Sequence, residues 1–133
     1  MVTTSKREGE LKALFAAELK RQAPDFLILR YATNGAPDRS VVGNGRQSNW
    51  EFKHATPDFR SPGDQELMCA RLTKAGHCQY VIWMEEIGVE ETLIVHPRDV
   101  LGRNGKGRGI VPQAWCNRFD MKWLVSQVLK EHS

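Results

Sequence analysis

A short segment in the first half of the chain constrains the fold more than any other. Ser40-Val41-Val42 and Asn49–Lys53 are strand-length runs, and the residues 43–48 between them include two glycines and an asparagine. Two such runs around a glycine turn predict a β-hairpin, with a turn somewhat longer than the two-residue minimum. Asp38 opens the first strand, so the hairpin would bring its carboxylate close to the second strand.

Helical and extended patterns alternate on either side of the hairpin. Leu11, Leu14, Phe15 and Leu19 recur at helical spacing, which predicts a first amphipathic helix that Pro24 ends. This order of elements predicts an α/β fold, a mixed β-sheet with helices on its faces. The predicted elements are helices at about 5–22, 61–75 and 113–130 and strands at 26–31, 40–42, 49–53, 79–84 and 91–95.

Bulk properties exclude several classes of protein. The 133 residues form a single domain, and no apolar stretch approaches the roughly 20 residues that a membrane helix needs. The polar start, Met1–Gly9, does not resemble a signal peptide, so we expect a cytoplasmic protein with no membrane contact. Cys69, Cys78 and Cys116 form no metal-binding or disulfide pattern, and buried thiols are the expectation.

Charge is mildly positive overall, and one stretch near the C-terminus is clearly basic. The net charge of +3 permits nucleic acid as a partner without requiring it. No acid lies between Asp99 and Asp120, a stretch that holds four glycines together with Arg103, Lys106, Arg108 and Arg118. The loop predicts either contact with nucleic-acid phosphates or an ordinary solvated surface.

Two carboxylates and one ammonium are candidates for chemistry in the hairpin. Glu51 and Lys53 point to one face of their strand, and on the simplest interpretation that face is solvated. Asp38 changes this interpretation, because two carboxylates 4 Å apart repel by about 4 kcal/mol and tend to bind a proton or a cation. Oxygen ligands of this kind favour Mg²⁺ or Mn²⁺. The alternative for Asp38 is a turn residue after Pro37.

Further polar residues lie at helix positions that are expected to face the sheet. Glu8 lies three residues before Leu11 and seven before Phe15, on the apolar stripe of the first helix, and Glu10 is nearly as well placed. Gln65 has the same relation to the apolar residues of the second predicted helix. The alternatives are a favourable charge at a helix N-terminus for Glu8 or Glu10, and an ordinary first-turn polar residue for Gln65.

Several motifs follow one another along the chain in a characteristic order. They are Glu8, Gly35-Ala36-Pro37-Asp38, Glu51-Phe52-Lys53, Ser61-Pro62-Gly63-Asp64-Gln65 and Lys74-Ala75-Gly76-His77. In this order of motifs the chain resembles the PD-(D/E)XK nuclease superfamily, and within it the chain is most similar to the VRR-NUC family, small phage-type nucleases related to Holliday-junction resolvases. The resemblance covers about residues 5–84.

The resemblance implies a restriction-endonuclease-like αβββαβ core with a divalent metal at the hairpin. Lys53 would orient or help deprotonate the attacking water, and Gln65 would support the site. Residues 85–133, a C-terminal strand and helix extension, lie outside the match. The implied ligands of Mg²⁺ or Mn²⁺ are Asp38, Glu51, the backbone carbonyl of Phe52 and, from the first helix, Glu8.

The expected function is therefore a metal-dependent endonuclease that hydrolyses DNA, selective for branched or junction structures. A phage or mobile-element origin, action in the host cytoplasm and a homodimer are implied, with no small-molecule cofactor. Arg103, Lys106 and Arg108 would contact DNA, and His54 would either face solvent at the strand end or reach the scissile phosphate. The alternative is a catalytically vestigial nuclease fold that binds DNA or inhibits another protein, and RNA remains a possible substrate.

Overall fold

The computed structural model describes residues 4–30, 38–55, 78–86, 89–96 and 113–133. Within these ranges the chain forms an α/β fold with two helices and six strands. The helix predicted at 61–75 and the segment Gly35-Ala36-Pro37 lie outside the described residues. The helices are α1 (Thr4–Gln22) and α2 (Met121–Lys130), and the strands are β1 (Leu27–Leu29), β2 (Arg39–Gly43), β3 (Arg46–Ala55), β4 (Gln79–Glu86), β5 (Val89–Val95) and β6 (Ala114–Cys116).

The six strands form one mixed sheet in the order β1-β2-β3-β4-β5-β6. The β3/β4 pair is parallel, and the other four pairs are antiparallel. The predicted α/β class with a mixed sheet is therefore confirmed. β3 therefore lies at the centre of the sheet, between its antiparallel hairpin partner β2 and its parallel neighbour β4.

The hairpin closes more tightly than the sequence predicts. Gly43 pairs with Arg46, which leaves Asn44 and Gly45 as a two-residue turn with φ angles of 54° and 73°. The prediction of a longer turn is wrong. Asparagine and glycine tolerate positive φ, and a turn with positive φ at both positions matches the twist of the strands, so pairing continues to the turn.

One face of the sheet packs against both described helices. Phe15 of α1 meets Phe52 of β3 edge to face, with ring centroids 4.9 Å apart. These contacts hold α1 across β3, the strand that carries the candidate site residues. The fully or nearly buried residues of this core are Leu11, Phe15, Leu19, Val41, Trp50, Phe52, Val81, Trp83, Ile94, Leu124, Val125 and Val128.

The other face of the sheet carries a second buried apolar cluster. Tyr80, Ile82 and Val95 are fully buried there, and Val81 is fully buried on the helix-covered face. The prediction that β4 is a buried strand is therefore confirmed. Among the described residues, Cys78 and Cys116 are buried as predicted, and Cys69 lies outside them.

The C-terminal region differs from its prediction. The helix expected from about residue 113 begins only at Met121, where the side chain of Asp120 accepts a hydrogen bond from the Trp123 N–H as the N-cap. Residues 114–116 instead form β6, paired with β5. Trp115 and Trp123 fit a helical spacing, which produced the error. Trp115 is in fact 53% exposed on β6.

No helix in the described part of the chain is long and apolar enough to cross a membrane.

Candidate functional site

The carboxylate of Asp38 is fixed at the point where β2 begins beside β3. Arg39 opposite Trp50 is the first pair of the two strands, so Asp38 directly precedes the paired region. Its Oδ2 accepts a hydrogen bond of 2.8 Å from the Phe52 N–H. The N–H and C=O of a strand residue point toward the same neighbouring strand, so the Phe52 carbonyl also points to the side of Asp38. This carbonyl and this carboxylate are two of the predicted ligands.

Glu51 is buried next to Asp38. Glu51 is only 1% exposed, and its Oε2 has no hydrogen-bond partner among the described residues. Burial, followed by the negative charge of Asp38, raises the pKa of Glu51 to about 8. The charges of Lys53 and Lys12 and a hydrogen bond with the Asp38 backbone act in the opposite direction. In the absence of a metal ion, the folded structure therefore favours the protonated form of Glu51.

Lys53 completes the hairpin part of the site. It is 8% exposed, and it lies opposite Ile82 in the parallel pairing with β4. The simple interpretation of a solvated polar face on β3 is therefore wrong for Glu51 and Lys53. Strand periodicity identified which residues share this face. It did not reveal that the face is covered.

The structure distinguishes between the two glutamates of α1. Glu8 accepts a hydrogen bond from the backbone of His54, and burial raises its pKa, as does the charge of Asp38. The positive charge of Lys53 is the largest influence that lowers it. Glu10 is exposed and pairs with Arg7 at 3.5 Å. Glu8 is therefore the helix carboxylate that lies near the hairpin residues.

Lys12 is a member of this cluster that the sequence interpretation missed. Its Nζ lies 3.4 Å from Asp38 Oδ1 in an ion pair. A signal was present in the sequence, because Lys12 follows Glu8 by four residues and residues at this spacing are neighbours on a helix surface. The site as described therefore contains three carboxylates and two ammonium groups.

His54 does not face solvent as its simpler prediction has it. Its Nε2 lies 2.9 Å from Glu85 Oε1, and its ring meets Trp83 edge to face at 4.9 Å. The side chain is half-buried because β3 continues to Ala55 and β4 runs beside it. The remaining predicted residues, Gln65 with Arg103, Lys106 and Arg108, lie outside the described residues.

The chemistry of the cluster fits a hard divalent cation, although its side chains are not assembled around one. Among the described residues, no three His, Cys, Asp or Glu side chains are arranged to hold a metal ion. Asp38 is engaged by Lys12 and the Phe52 N–H, and Glu51 by the Asp38 backbone. The predicted ligand atoms are all oxygens, and the buried Glu51 Oε2, which has no hydrogen-bond partner among the described residues, favours a cation. Coordination requires Asp38 and Glu51 to exchange present partners for the ion.

Comparison with known proteins adds no relative from which a role can be transferred. No protein-family model matches the chain, and no curated protein sequence matches it. The site is therefore interpreted from its own residues and their geometry.

Proposed function

We propose that this chain is a Mg²⁺- or Mn²⁺-dependent endonuclease that hydrolyses DNA. The observation that carries the proposal is the clustering of the half-buried Asp38 with the buried Glu51 and Lys53, in which Glu51 Oε2 lacks a hydrogen-bond partner among the described residues. Burying such charged groups together is costly unless a ligand compensates for them. Strongly perturbed carboxylates of this kind concentrate at functional sites.

Each residue has a definite part in the proposed reaction. Asp38, Glu51 and the Phe52 carbonyl would hold the cation, with Glu8 assisting from α1. A divalent cation supplies Lewis-acid activation of water and neutralises charge on the phosphate. Lys53, a mobile point charge on the same strand as Glu51, would orient the attacking water and offset negative charge that develops on the phosphoryl oxygens.

The fold supports a more specific family proposal. The order α1-β1-β2-β3, followed by a β4 strand parallel to β3, is consistent with the beginning and end of the αβββαβ core that the resemblance to PD-(D/E)XK nucleases implies. Parallel neighbours require a crossover connection, commonly a helix, and the sequence predicts a helix at 61–75 between these strands. Membership of the VRR-NUC family, a branched or junction DNA substrate and a homodimer complete the proposal, with DNA contacts from Arg103, Lys106 and Arg108.

A cleavage assay tests the proposed activity. The native chain and the variants Asp38→Ala and Lys53→Ala are incubated with branched, nicked and linear DNA in the presence of Mg²⁺ or Mn²⁺. We expect metal-dependent cleavage by the native chain, strongest on branched DNA, and its loss in both variants. Glu10→Ala is the matched control, since Glu10 is an exposed carboxylate of α1 paired with Arg7. Cleavage that both substitutions leave unchanged would refute the assignment, and single-stranded RNA in parallel tests the other polymer.

A second candidate is a vestigial nuclease fold that only binds DNA or inhibits another protein. The observation that favours it is the ion pair of Asp38 with Lys12, because a lysine already neutralises the predicted central ligand. Calorimetric titration with Mn²⁺ distinguishes the two functions. Binding of DNA without binding of Mn²⁺ supports the vestigial fold, and Mn²⁺ binding that Asp38→Ala removes supports the nuclease.

A further inference from the structure

Lys12 occupies a central position among the carboxylates of the site. Its Nζ lies 3.4 Å from Asp38 Oδ1, and the side chains of both residues are 21% exposed. Its positive charge also opposes the burial that raises the pKa of Glu8 and of Glu51. One ammonium group therefore acts on all three carboxylates that the proposed cation would contact.

The charge balance explains why an ammonium is needed there. Glu8, Asp38 and Glu51 carry a formal charge of −3 when ionised, and Lys53 offsets only one unit. Burial raises the pKa of Glu8 and of Glu51, and the negative charge of Asp38 raises each further. When all three carboxylates are ionised and no cation is bound, Lys53 alone would leave two negative charges uncompensated in a largely buried site, and Lys12 offsets one of them.

The ion pair of Lys12 with Asp38 is also one that a divalent cation can replace. Lysine carries its charge on a flexible four-carbon chain, and the ammonium is strongly hydrated. Part of the Lys12 side chain is already in contact with solvent, and its distance to Asp38 is longer than that of a strong charge-assisted hydrogen bond. A divalent cation brings twice the charge to the same carboxylates, so the two cations would compete for them.

We propose that Lys12 is an exchangeable counter-ion of the Asp38 carboxylate, which competes with the divalent cation and thereby sets the metal affinity of the site. This inference rests on the proposed function, since it requires a divalent cation at Asp38. Lys12 is a positioning residue in this scheme, because it acts through Asp38.

Calorimetric titration with Mn²⁺ alone tests the inference. It compares the native chain with Lys12→Gln and Lys12→Arg, in alkaline buffer so that the carboxylates are ionised. We expect Lys12→Gln to lower the Kd for Mn²⁺ by about tenfold, the change that one unit charge at this distance causes even under nearly aqueous screening. Lys12→Arg keeps the charge and is expected to bind Mn²⁺ as the native chain does. Lys20→Gln, which removes an exposed charge from the same helix, is the control.

Thermal unfolding provides a readout that does not depend on activity. In a metal-free buffer Lys12→Gln is expected to unfold at a lower temperature than the native chain, and saturating Mn²⁺ is expected to remove the difference. A purely structural role would leave the same deficit with and without Mn²⁺, and this result would overturn the inference.

The outcomes separate this inference from the proposed function. If the native chain does not bind Mn²⁺, both fail. If the native chain binds Mn²⁺ and Asp38→Ala does not, while Lys12→Gln binds with unchanged or weaker affinity, the metal site stands and the counter-ion role of Lys12 is refuted.

Discussion

Buried polar side chains lie toward both ends of β3, and their hydrogen bonding differs between the two ends. Near the hairpin turn, the Trp50 indole N–H donates to Ser48 Oγ at 2.8 Å, and Ser48 Oγ lies 2.7 Å from His132 Nε2. The His132 Nδ1 lies 2.9 Å from the Gly43 carbonyl. A carbonyl only accepts, so Nδ1 carries the hydrogen and, in neutral His132, Nε2 accepts the Ser48 hydroxyl hydrogen. Each of these groups has a partner.

Toward the other end of β3, the ionisable groups of Asp38, Glu51 and Lys53 lie close together, and not every polar atom has a partner among the described residues. Glu51 Oε2 has no hydrogen-bond partner among the described residues, and the pKa of Glu51 is raised to about 8. Buried polar groups that satisfy one another stabilise a fold, whereas a buried polar atom that lacks a partner destabilises it. The hairpin end is therefore interpreted as structural, and the Asp38 end as prepared for a ligand.

The largest expected effect separates activity from stability at Asp38. Asp38→Asn removes a predicted metal ligand but retains the shape of the side chain and a carbonyl oxygen that can accept from the Phe52 N–H. We expect DNA cleavage to fall by about 100-fold or more, the scale for a group that stabilises developing charge. The free energy of unfolding in EDTA is expected to change little, as measured by urea denaturation. Cleavage near the native level would contradict the assignment.

The next effect concerns stability against pH. Between the ordinary Glu value of 4.5 and about 8, folded Glu51 holds a proton that the unfolded chain releases. The folded state then binds more protons, so the stability of the metal-free protein falls as pH rises through this window. Glu51→Gln removes this loss, and its gain in folding stability near the upper end is expected to be up to about 5 kcal/mol, since each pKa unit between the two values is worth about 1.4 kcal/mol.

Urea denaturation in EDTA at several pH values measures this difference between native and Glu51→Gln. Glu10→Gln serves as the control, because Glu10 is exposed. Parallel stability curves for the native chain and Glu51→Gln across the window would show that Glu51 titrates normally.

A smaller effect is expected at the hairpin end. Ser48→Ala leaves the indole N–H of Trp50 and the Nε2 of His132 without their partner, which costs about 1–2 kcal/mol of folding stability. The Kd for Mn²⁺ is expected to stay at the native value. Ser126→Ala, at an exposed serine that bonds only backbone carbonyls of its own helix in the described structure, provides the comparison. A change in the Mn²⁺ affinity of Ser48→Ala would show that the two ends of β3 do not act independently.

The smallest effect distinguishes the glutamates of α1. Glu8→Gln is expected to weaken Mn²⁺ binding by up to about tenfold, the lower range for groups that support metal ligands. Glu10→Gln is expected to bind as the native chain does, because Glu10 pairs with Arg7 away from the site. Calorimetric titration measures both. Equal effects of the two substitutions would show that general negative charge on α1, rather than the position of Glu8, matters.

Sequence periodicity predicted the elements whose patterns are strong over their length. The helix expected at 5–22 is α1, and the strands expected at 79–84 and 91–95 are β4 and β5 with small changes of boundary. The prediction failed near the C-terminus, where Trp115 and Trp123 suggested one helix. The N-cap of Asp120 and the pairing of β6 with β5 decide that region, and strand pairing depends on residues that are distant in sequence.

The sequence also predicted part of the candidate site. The hairpin pattern was sufficient to place Asp38 beside the strand of Glu51, and the register of Arg39 with Trp50 agrees with it. The choice between Glu8 and Glu10 stayed open in the sequence because each precedes apolar residues of the helix at helical spacing, although residues two apart point to nearly opposite sides of a helix. The contact of Glu8 with the His54 backbone decides it.

The sequence by itself determined which side chains share a strand face and which two strands form the hairpin, because backbone geometry fixes a period of two residues and the glycine-containing segment between the strands favours a turn. Only the tertiary structure decided that Glu51 and Lys53 are buried, and that Lys12 neutralises Asp38. Burial and ion pairing depend on which elements pack against a strand. Those packing partners raise the pKa of Glu51 and distinguish the Asp38 end of β3 from an ordinary polar strand.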